Sequence, residues 1–282
     1  MANGTYVYCL IASARRPALN GIPRGLPRTG PVRLLDVDRG LTIAVADAPL
    51  SRYGERAIER GLSDLDWVSR AAVAHEAVIE SFIDATAVLP MKLFTIFTSD
   101  ARALDHVRAD EARIRALVKR VANQHEWSVR IVLDRSAVDQ GRRTGDQGRR
   151  TGDQGRRAGD QGRRTGDQGR RTGDQGPMAG LSYLARKKAR RDAATELRER
   201  ARETVAEVYD RLAARARLAR RRSATELPMA DGPLLLDGAF LVPRSRTAAF
   251  RAFAAREARA LARRGYGLTL TGPWPPYSFV QD

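Results

Sequence analysis

The side chains that could bind a metal or act as a nucleophile are scattered along this 282-residue chain. His75, His106 and His125 fall on different predicted elements, and Cys9 is the single cysteine. Structural and catalytic zinc sites draw on clustered Cys and His ligands, usually in closely spaced pairs. Because no such pair occurs, we predict no metal site. His75 on an apolar helix face and Cys9 on a central strand are expected to be core residues.

Catalysis and cofactor binding lack a sequence signature as well. No glycine-rich phosphate loop and no Gly-x-Ser-x-Gly elbow is present. Carboxylates occur in three close pairs: Asp36 with Asp38, Asp64 with Asp66, and Asp110 with Glu111. These pairs fall in a turn or at predicted helix ends, where capping and solvation explain them. We therefore predict no catalytic residue, no cofactor and no enzymatic activity.

The charge of the chain raises a different possibility, which is RNA binding. The formal net charge is +17, and only four of the 50 basic residues are lysine. A basic helix around Lys187 to Arg191 on a ferredoxin-like scaffold would suit an RNA-binding module. The aromatic platform of such modules is missing, since Tyr6 and Tyr8 alternate with apolar residues as core residues do. RNA binding stays as the alternative function, and nucleic acid is not the expected partner.

Residues 1–135 are predicted to form an N-terminal α+β domain. The predicted strands are Thr5 to Ile11, a hairpin of Val32 to Val37 with Leu41 to Ala46, Pro90 to Phe97, and Trp127 to Leu133. Two helices carry apolar residues at helical spacing, one from Val68 to Phe82 and one from Leu104 to Val121. This order predicts a ferredoxin-like sandwich with the helices on one face of a mostly antiparallel sheet.

Residues 136–177 are predicted to be a disordered linker. A unit of Gln, Gly, Arg, Arg, Thr, Gly and Asp recurs five times from Gln140 to Asp174, once with Ala158 in place of Thr. The period of seven suggests a coiled coil, but each unit carries two glycines and no apolar pair. A helix of this composition would bury nothing and would be destabilised by glycine.

Residues 178–282 are predicted to form a long helix and a second small α/β domain. The helix runs from Leu181 to about Arg222, followed by a strand from Leu234 to Val242. A helix from Thr247 to about Arg263 and a strand from Leu268 to Thr271 complete the unit. No apolar run is long enough to span a bilayer, so we expect a cytoplasmic protein without a membrane partner.

The chain ends in a tail rich in proline and aromatic residues. Trp274 and Tyr277 are flanked by three prolines. Proline cannot donate a backbone hydrogen bond, so this tail cannot form a sheet interior or a helix interior. It must lie along a surface, either docked on its own domain or available to a partner.

The tail also resembles the C-terminal signature of the gas vesicle GvpL/GvpF family. Further segments that look like the family, in the same order, are Tyr6–Tyr8, Ala74–Glu76, Val88–Phe97, Glu126–Val129, Tyr183–Leu184 and Ala239–Val242. Where the family has a run like Leu-Pro-Leu-Arg-Phe-Gly-Thr, this chain has Lys92 in place of Arg, and the glycine is shifted or lost.

The resemblance implies a gas vesicle accessory protein that binds the hydrophobic shell subunit, and possibly other accessory proteins, during assembly. Such a protein would be found in the cytoplasm and at the gas vesicle. The expected binding surface combines the Pro90 to Phe97 segment with the tail, because both concentrate apolar and aromatic side chains. The residues predicted to contact the partner are Leu93, Phe94, Ile96, Phe97, Trp274 and Tyr277.

Overall fold

A computed structural model describes residues 2–133, 177–222 and 233–280. The repeat Gln140–Asp174 lies outside these residues. The described parts form two antiparallel sheets covered by helices, so the chain is a mixed α+β protein, as predicted. Among the described residues, no helix is long and apolar enough to cross a membrane.

The first sheet is built from five antiparallel strands. They are β1 (Asn3–Ala12), β2 (Arg33–Asp38), β3 (Leu41–Pro49), β4 (Ala87–Pro90) and β5 (Ile96–Phe97). The order is β2-β3-β1-β4, and β5 pairs with β1 beside β4. The hairpin of β2 and β3 turns at Gly40, whose φ of 75° is readily adopted by glycine. The central position of β1 explains why its residues from Gly4 onward are buried.

Helices cover both faces of this sheet, whereas the sequence predicted helices on one face only. The helices are α1 (Leu50–Tyr53), α2 (Glu55–Gly61), α3 (Leu65–Glu80), α4 (Asp100–Ala109) and α5 (Glu111–Val121). Along β3, Ile43 and Val45 pack in the cluster of α4 and α5, while Ala44 and Ala46 pack in the cluster of α3. The central strands are apolar on both faces, and each apolar face must be covered by helices to be shielded from water.

The helix predicted from Leu104 to Val121 is divided at Asp110. Asp110 ends α4 and precedes α5, with φ −108° and ψ 18°, outside the helical range. Aspartate is unfavourable in a helix interior because its side chain competes for backbone hydrogen bonds. The amphipathic spacing continues across the break, which is why the pattern predicted one helix.

The strand predicted to complete the first sheet belongs to the second sheet. That strand is β6 (Gln124–Leu133), and it pairs with β8 (Leu234–Pro243) and β9 (Tyr266–Trp274). β7 (Leu218–Arg221) is added at the edge of β8, giving the order β7-β8-β6-β9. Trp127, Val129 and Ile131 pack against helices of the C-terminal part. An alternating pattern identifies the two faces of a strand but not its neighbours, so the sheet was assigned wrongly.

The C-terminal helices are α6 (Pro177–Ala213), α7 (Thr247–Ala262) and α8 (Tyr277–Val280). On α6, Ala201, Val205, Val208 and Leu212 are buried, while Leu197 is 51% exposed. The predicted end of this helix at Arg222 is wrong. The amide of Arg217 donates to the carbonyl of Leu241 at 2.7 Å, so the edge of β8 draws the chain into a strand.

Apolar packing and the side chain of Arg244 both connect the two sheets. Ala239 and Leu241 of the second sheet share a buried cluster with residues of α4 and α5. The guanidinium of Arg244 donates to the carbonyls of three residues that follow α3: Ile83, Asp84 and Ala85. The side chain therefore satisfies three carbonyl groups of the turns after α3 and ties them to the end of β8.

Candidate functional site

The predicted strand from Pro90 to Phe97 is two short strands with a loop between them. β4 pairs with Cys9–Ala12 and β5 with Thr5 and Tyr6. Within the loop, Phe94 has a φ of 66°, a left-handed conformation that favours glycine. When the family-like run is aligned on Leu89 and Pro90, its glycine falls on Phe94. The backbone thus keeps a glycine-like conformation at this position while carrying a large aromatic ring.

A buried hydrogen-bond network holds both ends of this loop. The hydroxyl of Tyr6 lies 2.7 Å from His75 Nδ1, and Nε2 lies 3.1 Å from the carbonyl oxygen of Met91. The amide of Phe94 donates to the same hydroxyl at 3.3 Å. Because the Met91 carbonyl can only accept, the partners assign the proton to Nε2 and make Nδ1 the acceptor of the Tyr6 proton.

This network fixes His75 in its neutral form. His75 is buried, as predicted for a core histidine, and its burial lowers its pKa below the ordinary value. The pKa of Tyr6 is raised by burial, so its hydroxyl keeps its proton. The network positions the loop and holds Phe94 at the surface.

The ring of Phe94 belongs to an aromatic stack. Its centroid lies 4.9 Å from that of Trp67 with an interplanar angle of 13°, and the Trp67 ring lies 6.2 Å from that of Tyr53. Phe94 remains half-buried, as do the other predicted residues Leu93, Ile96 and Phe97. Part of each side chain is therefore accessible to a partner.

Beside the stack lies an apolar groove of about 500 Å³, which we call the Phe94 groove. The residues that line it are Leu50, Tyr53, Gly54, Glu55, Ile58, Glu59, Phe94, Ile96, Phe97 and Thr98. Three exposed apolar side chains follow along the chain: Leu62 is 55% exposed, Leu65 81% and Val73 65%. Sequence reasoning missed the α2 side of this site, although Ile58 between Glu55 and Glu59 has the spacing of an amphipathic turn.

The C-terminal tail is docked within the molecule. β9 continues through Pro273 to Trp274 as an edge strand, where proline is tolerated. Pro275, Pro276, Phe279 and Val280 are buried. Phe279 and Val280 enter the cluster between the two sheets, and Tyr277 packs against the α3 side of the first sheet. The tail thus crosses from the second sheet to the first, and Trp274 is half-buried at its start.

A buried carboxylate holds the tail in place. Glu126 is 2% exposed, and its two oxygens accept from the amide and the hydroxyl of Ser278, each at 2.7 Å. Arg222 Nη1 lies 3.5 Å from the same carboxylate. Burial raises the pKa of Glu126, and the bonds from Ser278 oppose that rise. Spacing alone gave no sign of this pair, because 152 positions separate the two residues.

Cys9 and the two tyrosines of β1 lie in the core, whereas His106 is exposed on α4. Cys9 is fully buried, as predicted, and burial raises the pKa of its thiol. Tyr6 and Tyr8 are 0% exposed, so neither ring is available to stack on a nucleotide base. Across the residues that the structure describes, no group of three or more His, Cys, Asp or Glu side chains could hold a metal ion.

These features define a class of protein. The chain is a two-sheet α+β protein with an apolar groove at the edge of its first sheet and a tail that joins the sheets. Residues 4–281 match the family described as gas vesicle synthesis protein GvpL/GvpF. The chain belongs to this family, as its sequence motifs indicated.

Individual relatives agree with this assignment. Gas vesicle protein L of Streptomyces sp. (strain CB03234) is 27% identical over 280 residues, which cover 98% of this chain and 92% of that protein. The crystal structure of GvpF from Anabaena sp. PCC7120 matches with a TM-score of 0.65 at 17% identity, over 99% of both chains. GvpF from Microcystis aeruginosa matches with a TM-score of 0.57 at 16% identity, also over 99% of both chains. The fold of this chain is therefore similar to that of GvpF.

Proposed function

We propose that this chain is a gas vesicle accessory protein that binds the hydrophobic shell subunit in the cytoplasm during assembly. Family membership supports a role in gas vesicle synthesis. The observation that carries the proposal further is the Phe94 groove, with the exposed side chains Leu62, Leu65 and Val73 beside it along the chain. An apolar groove that is open at the surface is a common binding site for a partner.

The chemistry of the groove suits such a partner. A shell subunit with an apolar face would aggregate in water before assembly, and a groove that covers part of that face would prevent this. Glu55 and Glu59 line the same groove. We therefore expect the bound segment to be apolar with a basic residue beside it. Other accessory proteins of the gas vesicle are candidate partners for the remaining surface.

The predicted contact residues have unequal roles in this proposal. Phe94, Ile96 and Phe97 line the groove directly, and Leu93 lies in the adjoining loop. Trp274 is half-buried and keeps some accessible surface. Tyr277 has a structural role in this proposal, because its hydroxyl is buried and its ring packs on the first sheet.

Co-purification of the full chain with the shell subunit tests the groove. Ile58→Asp should reduce capture about tenfold or more, since Ile58 lines the groove and the substitution introduces a charge into the apolar contact. Leu197→Asp is the control, because Leu197 is an apolar residue on α6 outside the groove. Equal capture by the native chain and by Ile58→Asp would contradict the groove as the binding site.

A second comparison tests the tail. If Trp274→Ala with Tyr277→Ala stays folded and still captures the shell subunit fully, the tail has only a structural role. RNA that co-purifies and is released steeply by salt, with no capture of the shell subunit, would favour the RNA-binding alternative instead.

A further inference from the structure

A second apolar groove lies in the C-terminal part, between the end of α6 and α7. Its volume is about 440 Å³. Its floor is formed by small and aromatic side chains, namely Ala214, Ala249, Phe250, Ala252 and Phe253. Its rim carries Arg215, Arg246 and Arg256, and among the residues that the structure describes no carboxylate lines it. We call it the Arg groove.

The rim arginines lack acidic partners in the described parts of the chain. Residues 215, 246 and 256 take part in none of the ion pairs found there, and all three side chains are exposed. Glu257 is the one carboxylate in the sequence of α7, and it accepts from Arg211 at 2.8 Å. Its side chain is only 13% exposed. The groove therefore presents an excess of positive charge.

Two of these guanidinium groups are held by an aromatic ring. The Cζ atom of Arg215 lies 3.5 Å from the ring centroid of Phe253, and that of Arg256 lies 5.3 Å from it. A guanidinium that contacts a ring through its face keeps its N–H donors at its edge. Arg215 uses one donor on the carbonyl of Arg211. The other guanidinium donors of this exposed side chain remain available to an anionic group at the groove.

We propose that the Arg groove binds a helix of a partner protein that carries an apolar stripe flanked by Glu or Asp. The apolar floor would cover the stripe, and the planar guanidinium groups would pair with the carboxylates. The surface continues on the other flank of α7, where Arg251 stands beside Ala255, Leu268 and Leu270. This flank shares Ala252 with the Arg groove, so apolar surface borders α7 on both sides.

Two other occupants fit the groove less well. A nucleic acid would use its bases on exposed rings, but Phe250 and Phe253 are 1% and 6% exposed. A second copy of this chain would be repelled, because each copy carries a formal net charge of +17. An acidic amphipathic helix satisfies both the apolar floor and the arginine rim.

Binding of a labelled peptide to the full-length protein tests the proposal. The probe is a helix of about 18 residues with a Leu and Ala stripe flanked by Glu, and its companion has Gln at every Glu position. Fluorescence anisotropy should show binding of the Glu peptide and at least tenfold weaker binding of the Gln peptide. Arg215→Gln with Arg246→Gln and Arg256→Gln should weaken the Glu peptide by at least tenfold as well.

A control variant separates the groove from net charge. Arg39→Gln with Arg102→Gln and Arg108→Gln removes three exposed arginines from the N-terminal part and should leave peptide affinity within about twofold. If the triple groove variant loses stability, Arg246→Gln with Arg256→Gln leaves Arg215 on Phe253 and should still weaken binding. The proposal would be overturned if the control variant lost as much peptide affinity as the groove variant. It would also be overturned if both peptides bound equally well or if neither bound. Tighter binding of a single-stranded RNA that depends on the same three arginines would overturn it as well.

Discussion

The loop between β4 and β5 and the C-terminal tail are both short, apolar and aromatic, yet the fold uses them in opposite ways. The loop is held by the Tyr6 and His75 network and keeps Phe94 half-buried at the Phe94 groove. The tail places Phe279 in the buried cluster between the sheets and fixes Ser278 on a buried carboxylate. The loop is anchored by buried hydrogen bonds and stays partly exposed, whereas the tail is buried as part of the core.

The difference teaches that aromatic content alone does not identify a binding surface. Apolar side chains leave water wherever a complementary surface is available. The tail finds that surface on the first sheet of its own chain. The rings of the loop lie at an edge that the fold covers only in part, and so they remain available to a partner.

Among the substitutions that test this comparison, Phe279→Ala should reduce the free energy of unfolding the most. Phe279 is 4% exposed, and removing a buried phenylalanine side chain destabilises a core by about 3 to 5 kcal/mol. Urea denaturation measures the change in the free energy of unfolding. Leu65→Ala, at an 81% exposed position, should change it by less than about 0.5 kcal/mol. Similar values for both variants would mean that the tail is not part of the core.

His75→Phe should destabilise the loop by about 3 kcal/mol at pH 8, because the buried Met91 carbonyl and the Tyr6 hydroxyl proton lose their partner. The folded-state pKa of His75 is lowered, so the unfolded chain binds the proton more tightly. The contribution of His75 is therefore complete above its ordinary pKa of 6.5 and is lost as the pH falls.

Denaturation curves between pH 5 and pH 8 check this prediction. The difference in stability between the native chain and His75→Phe should narrow toward the acidic end. His106→Phe is the control, since His106 is exposed on α4. A difference that stays constant with pH would show that His75 is not held neutral by the fold.

Ser278→Ala should destabilise the tail by about 2 kcal/mol near neutral pH, since the buried Glu126 loses one hydrogen-bond donor. The hydroxyl bond favours the ionised carboxylate, so its loss raises the already raised pKa of Glu126 further, although the amide of residue 278 still donates. The folded variant then binds the proton more tightly, and its stability falls more steeply as the pH rises through that pKa.

The loss of stability caused by Ser278→Ala, relative to the native chain, should therefore grow from about pH 4 to pH 8. Thermal or urea denaturation at both pH values measures it. In a Glu126→Gln background the same substitution should lose this pH dependence, because no ionisable group remains at position 126. Persistence of the pH dependence in that background would refute the Glu126 and Ser278 pair as its cause.

Two substitutions at Phe94 should give the smallest difference in stability, and they test the backbone conformation of the loop directly. Phe94→Gly and Phe94→Ala both remove the stack on Trp67, but only glycine adopts a φ of 66° without strain. We expect Phe94→Gly to be more stable than Phe94→Ala by about 1 kcal/mol, the reverse of the usual order. Chemical denaturation resolves this difference. A more stable alanine variant would mean that the loop does not keep this conformation in solution.

Much of the local structure could be predicted from the sequence. The continuous apolar run of β1, the hairpin at Gly40 and the helix from Thr247 are present close to their predicted bounds. Periodicity and turn residues act within a few positions, so they fix such elements reliably. The two strands in place of one around Phe94 and the strand at Leu218–Arg221 each depend on a partner strand elsewhere in the fold.

The candidate site was predictable in part for the same reason. Phe94, Ile96 and Phe97 were found because they are apolar and adjacent in sequence. Ile58 was not found, since α2 reaches the groove only through the packing of the first sheet. Tyr277 was chosen for its ring, but its burial depends on a contact with the α3 side of that sheet.

By itself, the sequence determined the family, the α+β class and the elements with strong local patterns, because these depend on residue order and short-range spacing. Only the tertiary structure decided that β6 joins the second sheet, that helices cover both faces of the first, and that the tail crosses between the sheets. These outcomes depend on which apolar surfaces meet across long stretches of chain. Many pairings satisfy the same local pattern, and the one that buries Glu126 against Ser278 cannot be read from either residue alone.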